Sequence, residues 1–256
     1  SEHENMKLML ITDLEAVAGV LNYDDWCHPG GRYFDKAKRL LTLEVNAAVD
    51  GFFAGGATDV MVLDGHGQGG IDPELLDERA QLQRGAEAGY PMGLDGSFAG
   101  VGWIGQHAKA GTDYSQLTHT QGFHYIDLTI NGTSIGEYGQ IAFCAMEMSI
   151  PCILACGEKA FCHEASALTP GVVGVWVKRG LKADGLEHMD AEEYRRAKEA
   201  AVHRAPLRAR TVIREGATRA AFRLREQLDS FSYPDLEPPF VRTARFRKEG
   251  NWQPWS

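Results

Sequence analysis

The sequence lacks any apolar run that approaches the roughly 20 residues needed for a transmembrane helix. It also lacks an opening basic segment followed by an apolar one, which is the pattern of a signal peptide. From these two absences we expect a cytoplasmic protein with no membrane partner.

Dense basic stretches are scarce as well. The only candidate runs from His203 to Arg225, and it is short and diluted by acidic residues and alanines. The chain has 26 Lys and Arg against 35 Asp and Glu, which gives a formal net charge of −9. We therefore expect no nucleic-acid partner.

Cysteine is sparse and odd in number, with five residues in a chain of 256. Cys144, Cys152, Cys156 and Cys162 fall in or beside apolar segments, which suits reduced thiols in a cytoplasm. These cysteines lack the close pairing of zinc-knuckle ligands, so we interpret them as buried free thiols. Hydrophobic residues make up 44% of the chain, enough to bury a substantial core.

Short apolar runs that end in Gly or Asp recur along the first 180 residues and predict buried strands. They are Lys7–Leu14, Asp59–Asp64, Val101–Gly105, Tyr125–Ile130, Cys152–Cys156 and Val172–Lys178. Between the first two, apolar side chains from Tyr33 to Ala54 recur at helical spacing, and Gly55 and Gly56 end the predicted helix. A strand, a long helix and a strand form a right-handed crossover. We therefore predict an α/β fold whose mainly parallel sheet carries helices on both faces.

The predicted organisation has three parts. Residues 1–5 precede a methionine, and we set them aside from the fold as a cloning remnant. Residues 6–180 form an α/β domain that carries the candidate site, with a second helix from Glu137 to Ser149. Residues 181–256 form a helical and extended C-terminal region, with helices from Ala191 to about Gln227 and strand-like alternation in Phe240–Phe246.

Acidic side chains and histidines stand where several predicted strands end. Asp13 and Glu15 follow the first strand two residues apart, so their side chains point the same way. His66 closes the second strand and His107 the third, and we interpret these two strands as neighbours. Glu137 opens a helix after the fourth strand. Because sites on parallel sheets lie at the carboxyl ends of the strands, we expect all five residues to converge on one edge.

Imidazole and carboxylate ligands around an open coordination position are typical of a catalytic zinc site. Three carboxylates and two histidines can hold two ions if one carboxylate bridges them. Two ions about 3.5–4 Å apart clamp a water molecule and polarise a carbonyl group. Each residue alone also has a structural interpretation, since acidic residues cap turns and helices and most lone histidines are hydrogen-bonded core residues. The combination favours a metal centre.

His119 is the candidate catalytic residue outside this ligand set. It lies twelve residues after His107 in a polar loop, so it can reach the site without binding a metal ion. A titratable imidazole there can donate a proton to a leaving amine, orient water or stabilise an oxyanion.

Five segments of the chain resemble a known family in their order and spacing. They are Thr12-Asp13-Leu14-Glu15, Asp64-Gly65-His66, Gly105-Gln106-His107-Ala108, Thr118-His119 and Ile135-Gly136-Glu137-Tyr138-Gly139. In these segments the sequence resembles the dizinc D-aminopeptidases encoded with bacterial dipeptide transporters, over about residues 6–178.

The resemblance implies two zinc ions per chain and a role for each candidate residue. Asp13 would bridge the ions, Glu15 and His107 would complete one site, and His66 and Glu137 would complete the other. His119 would be the active-site histidine.

The same resemblance implies a homo-oligomer, a ring-shaped decamer whose catalytic chambers admit only small peptides. The apolar and aromatic C-terminal segment around Trp252 and Trp255 also favours an assembly, because an isolated monomer would have to shield it.

The resulting hypothesis is a zinc-dependent aminopeptidase that cleaves short peptides with a free amino terminus, through attack of a hydroxide held by two zinc ions. The resemblance alone implies D-amino acids in the substrate, as in D-Ala-D-Ala. Two alternatives stay open: a related dizinc amidase or deacylase whose substrate is not a dipeptide, and a metal-binding oligomeric protein without catalysis. The presence of His119 beside all five ligands argues against the second alternative.

Overall fold

The computed structural model describes residues 5–85 and 89–248. Residues 1–4 of the predicted remnant and the segment around Trp252 and Trp255 lie outside the described residues. Within those ranges, no helix combines the length and the apolar character needed to cross a membrane.

The described elements comprise ten strands, six α-helices and one short 3₁₀ helix at Leu228–Ser230. In chain order they are β1 (Lys7–Thr12), α1 (Tyr23–Trp26), α2 (Phe34–Ala54), β2 (Asp59–Asp64), β3 (Ala80–Gln83), β4 (Gly100–Gln106), β5 (Tyr125–Ile130), β6 (Thr133–Ser134), α3 (Glu137–Glu147), β7 (Cys152–Glu158), α4 (Lys159–Leu168), β8 (Val173–Gly180), α5 (Ala191–Ala197), β9 (Ala201–His203), α6 (Pro206–Glu226) and β10 (Arg242–Phe246).

Seven strands form the main sheet, in the order β3-β2-β1-β4-β7-β8-β9. Every pairing in it is parallel except the one between β8 and β9. The predicted α/β fold with a mainly parallel sheet is therefore confirmed. The predicted adjacency of the two histidine-bearing strands is wrong, because β1 lies between β2 and β4. β1 is buried along nearly its whole length, so it can pair on both sides.

The predicted strand Tyr125–Ile130 is present as β5, but it does not belong to the parallel sheet. It lies in a second sheet, which is antiparallel and has the order β10-β5-β6. Most of β5 is only half-buried, unlike the buried central strands of the main sheet. An Asn131-Gly132 turn joins it to β6, with positive φ angles of 48° and 80°. Glu137 thus follows a hairpin, and the prediction that it follows a strand of the parallel sheet is wrong.

Helices cover both faces of the main sheet, as the sequence predicts. Side chains of α2 and α6 enter one hydrophobic cluster with β1, β2, β7 and β8, whereas α3 and α4 enter a second cluster on the other face. The expected helix from Tyr33 to Ala54 is α2, and the one from Glu137 is α3. α2 and α6 pack closely, since a Cβ on Gly51 would lie 2.4 Å from the Arg214 carbonyl oxygen.

The predicted helices between Ala191 and Gln227 are α5 and α6, with strand β9 between them, and the expected strand in Phe240–Phe246 is β10. Part of this region packs on the preceding part of the chain. Ala209 and Ile213 of α6 enter the same hydrophobic cluster as Val175 of β8. The division of the chain at about residue 180 stays a prediction.

Candidate metal centre

Four of the candidate residues, Asp13, Glu15, His66 and His107, follow the carboxyl ends of β1, β2 and β4, whereas Glu137 begins α3 and His119 lies in the loop between β4 and β5. The carboxyl ends of these three strands mark the topological switch point of the sheet, where the chain continues to β2 on one side of β1 and to β4 on the other. The loop after β1 leans over the end of β4, since the Asp13 amide donates to the Ile104 carbonyl at 2.9 Å. Gly105 allows this approach. It has a φ of 75°, and a Cβ there would lie 2.0 Å from the Asp13 carbonyl oxygen.

Asp13, Glu15 and His66 form the first group of potential metal ligands, and all three are buried. His66 Nδ1 lies 3.0 Å from Asp13 Oδ1 and 3.2 Å from Glu15 Oε2. The other ring nitrogen, Nε2, contacts the carbonyl oxygen of Cys27 at 2.7 Å. A carbonyl oxygen can only accept, so Nε2 carries the proton and the Nδ1 lone pair of a neutral His66 faces the two carboxylates.

His107, His119 and Glu137 form the second group. His107 Nε2 lies 3.4 Å from Glu137 Oε2 and 3.2 Å from Asp13 Oδ2, while its Nδ1 donates to the Ala108 carbonyl at 2.9 Å. His119 stacks on His107 with 3.8 Å between ring centroids, and its Nε2 lies 3.7 Å from Glu137 Oε1.

Asp13 joins the two groups, because one of its carboxylate oxygens faces His66 and the other faces His107. The division that the resemblance implies, with Glu15 beside His107 and His66 beside Glu137, is not the arrangement in the structure. Glu15 instead lies with His66, and Glu137 lies with His107. The cause is topological, since β2 and β4 flank β1 on opposite sides and each histidine meets the acidic residue on its own side.

The donor set fits divalent cations. Two buried atoms, Glu15 Oε2 and His107 Nε2, make no hydrogen bond to any described residue. Because a backbone carbonyl holds the far nitrogen of each ligand histidine, the lone pair of the near nitrogen is directed at carboxylate oxygens. Lone pairs that face one another at 3.2–3.4 Å require a proton or a cation between them.

Electrostatics at the site favour positive charge. Burial opposes protonation of His66, yet the carboxylates of Glu15 and Asp13 raise its pKa to about 12. The pKa of His107 is raised well above its ordinary value by Glu137 and Asp13, again against burial. Burial acts to raise the pKa of Glu137, but His107 outweighs it and lowers the pKa to about 2. The cluster therefore stabilises cations in its centre.

Sequence reasoning missed Gln106, whose side-chain amide donates to Asp13 Oδ2 at 3.0 Å and to Glu137 Oε2 at 3.3 Å. Residues adjacent in a regular strand point to opposite faces, so strand alternation alone would not bring both Gln106 and His107 into the site. The pairing of β4 with β7 shifts register between Trp103 and Gln106, and regular alternation ends there.

A cavity of about 500 Å³ opens over the two groups. Asp13, Glu15, His66, His119 and Glu137 lie in its wall together with apolar and aromatic side chains, which are Ile11, Tyr23, Tyr90, Met92, Trp103 and Ile141. A cavity of this size holds a small molecule rather than a folded protein substrate.

Comparison with known proteins assigns the chain to a family. The sequence profile of peptidase family M55, described as D-aminopeptidase, matches residues 6–244, a range that includes both groups of potential ligands. The chain belongs to the M55 D-aminopeptidase family. The chain is 29% identical over 185 residues to the D-aminopeptidase of Bacillus subtilis (strain 168), a match that covers 71% of this chain and 67% of the relative.

A solved structure has a similar fold. It is described as the Zn-dependent D-aminopeptidase DppA from Bacillus subtilis, a self-compartmentalizing protease. The similarity has a TM-score of 0.79 at 24% sequence identity, and it covers 95% of this chain and 82% of the other.

Proposed function

We propose that this M55 family member is a zinc-dependent aminopeptidase that removes the amino-terminal residue of short D-amino-acid peptides such as D-Ala-D-Ala. The observation that carries the proposal is the position of Asp13 between two groups of carboxylate and imidazole side chains, in which Glu15 Oε2 and His107 Nε2 are buried without a hydrogen bond to any described residue. Membership of a D-aminopeptidase family supports the activity and the substrate class. The zinc dependence described for the structural relative supports the metal.

Two zinc ions per chain fit the donor set. Glu15 and His66 would hold one ion, His107 and Glu137 would hold the other, and Asp13 would offer one oxygen to each. When bound, the ions supply an activated water molecule and a Lewis acid for the scissile carbonyl. Gln106 keeps the Asp13 and Glu137 carboxylates in place through its two hydrogen bonds.

His119 is suited to move protons at Nε2. Its Nδ1 donates to the Leu117 carbonyl at 2.7 Å, which leaves the Nε2 lone pair beside Glu137 in the wall of the cavity. Burial and the neighbouring His107 lower the pKa of His119, so its imidazole is neutral near pH 7. A neutral Nε2 can accept a proton from the attacking water and deliver it to the leaving amine. In this proposal His119 is the catalytic residue and not a metal ligand.

We also propose a homo-oligomer, a ring-shaped decamer, in a reducing compartment such as the cytoplasm. The structural relative is described as self-compartmentalizing. Large apolar side chains are exposed on one chain, among them Leu207, Val241 and Tyr114, and association would cover them. All five cysteines are described and are free, which suits a reducing environment.

Elemental analysis and a substrate panel test the proposal together. Purified protein reconstituted with zinc should hold about two ions per chain. Asp13→Asn should weaken the binding of both ions, because Asp13 faces both groups of candidate ligands. Matched D,D and L,L dipeptides, each with a free and an acetylated amine, should show turnover only of D,D peptides with free amines. Turnover of the acetylated peptides would identify an amidase or deacylase instead, and absence of stoichiometric metal would refute the proposal.

A further inference from the structure

Side chains from other parts of the chain hold the loop that follows β1, which carries two of the candidate metal ligands. Lys178 of β8 is fully buried, and its ammonium group donates to the carbonyl oxygens of Glu15 and Val20, the latter at 3.1 Å. Glu15 is one of the two carboxylates of the first ligand group, so the lysine reaches the backbone of a candidate metal ligand directly.

Three further side chains hold the same loop. Glu44 of α2 accepts from the Ala18 amide at 2.9 Å, and His203 of β9 accepts from the Gly19 amide at 3.1 Å. Gln116 donates to the Leu21 carbonyl at 2.9 Å. The backbone from residue 15 to residue 21 is therefore fixed by four side chains from four different parts of the chain.

Among the four, only Lys178 contacts the backbone of a residue in the ligand groups. It is also a charged donor, and hydrogen bonds from charged donors are about twice as strong as neutral ones. Such a bond fixes where the Glu15 peptide lies, and the Glu15 carboxylate extends from that peptide to a point 3.2 Å from His66 Nδ1. A shift of the peptide would move this carboxylate away from the histidine.

We propose that Lys178 is a positioning residue for the first metal-binding group: its buried ammonium holds the Glu15 peptide and so places the Glu15 carboxylate beside His66. The inference rests on the proposed function, since it assumes that Asp13, Glu15 and His66 bind a metal ion. Lys178 lies behind the loop and touches no reacting atom, so its effect passes through Glu15. Partners that hold metal ligands in place typically contribute 10–100-fold to metal affinity.

Stepwise zinc titration of the full-length protein tests the inference. Glu15→Gln identifies which of the two binding steps belongs to the first group. Lys178→Met, which keeps the length of the side chain and removes the charge and the donors, should weaken that same step about 10–100-fold and leave the other step unchanged. Lys178→Gln keeps a hydrogen-bond donor on a shorter side chain and should weaken the same zinc-binding step. This variant replaces Lys178→Met in the test if the methionine variant does not fold.

Lys198→Met is the matched control. Lys198 is equally buried and donates to the carbonyls of Thr112 and Lys182 and to the Asp184 carboxylate at 3.0 Å, and none of these hydrogen bonds goes to either ligand group. Lys198→Met should lower stability in urea without a selective effect on either zinc-binding step. Equal weakening of both steps in the Lys178 variants, or no weakening at all, would overturn the positioning role. A wild-type protein without two zinc steps would refute the proposed function itself.

Discussion

Glu44 provides a quantitative test of the buried charges that hold the loop after β1. Its side chain is 2% exposed, and its Oε2 has no hydrogen-bond partner among the described residues. Burial raises the pKa of Glu44 from 4.5 to about 8, although the Ala18 amide and Lys178 act in the opposite direction. The folded protein therefore keeps a proton that the unfolded chain releases above pH 4.5.

The sign of the effect follows from proton linkage. Between pH 4.5 and 8 the folded state binds more protons at this position than the unfolded state, so stability falls as the pH rises through that window. From pH 5 to pH 8 the loss is about 3 to 4 kcal/mol. Glu44→Gln has no ionisable group at this position but keeps an oxygen for the Ala18 amide. Relative to wild type, the variant should gain about that much stability over the same pH interval.

Urea denaturation of wild type and Glu44→Gln at pH 5, 6, 7 and 8 measures this difference. Glu158→Gln is the comparison variant. Glu158 is also buried, and burial raises its pKa, but three hydrogen bonds oppose that rise: it accepts from the Ser115 hydroxyl, from the Gln116 amide at 2.7 Å and from the Gly180 amide at 2.9 Å. The stability difference between Glu158→Gln and wild type should therefore change with pH in the same direction as for Glu44→Gln, but by less. A stability difference for Glu44→Gln that does not change with pH would show that Glu44 is ionised in the folded protein, and the reasoning would fail.

Three further substitutions probe the site itself. His119→Ala should keep its zinc content and urea midpoint while kcat falls about 10²–10⁴-fold, and loss of zinc in this variant would show that the histidine is a ligand. Gln106→Leu removes the hydrogen bonds to two ligand carboxylates and should lower zinc affinity about 10–100-fold, measured by competition with a chelating dye; unchanged affinity would argue against a holding role. Arg84 donates to the carbonyls of Asp64 at 2.8 Å and His66 at 3.0 Å. Arg84→Met should therefore weaken the zinc-binding step of the first group. Weakening of the zinc-binding step of the second group alone would contradict this prediction.

The central elements could be predicted from the sequence because their burial leaves a periodic signal. β1, β2, β4, β7 and β8 read as apolar runs, and α2 shows apolar side chains at helical spacing. The edge strands β3 and β9 gave no such signal. β3 has the sequence AQLQ and no buried residue, so only its pairing with β2 defines it.

The candidate ligands were predictable because acidic residues and histidines stand out at the ends of apolar strands. Their partners were not predictable in the same way. The carbonyl of Cys27 holds His66 through a backbone atom, which any residue would offer. Lys178 ends a predicted strand, but its contact with Glu15 joins parts of the chain 163 residues apart, and no local pattern records it. The grouping of ligands depends on strand order, which the spacing of motifs along the chain does not determine.

The position of β1 between β2 and β4 determines the spacing of the residues in the candidate metal centre. Neighbouring strands lie about 4.8 Å apart, so β2 and β4, which precede the two candidate ligand histidines, are separated by about 10 Å, with β1 between them. Hydrogen bonds within the sheet fix that separation, and loops elsewhere can lengthen or shorten without altering it. A slip of β1 by one residue would be far more damaging, because it would place Leu14 between the histidines in the position of Asp13.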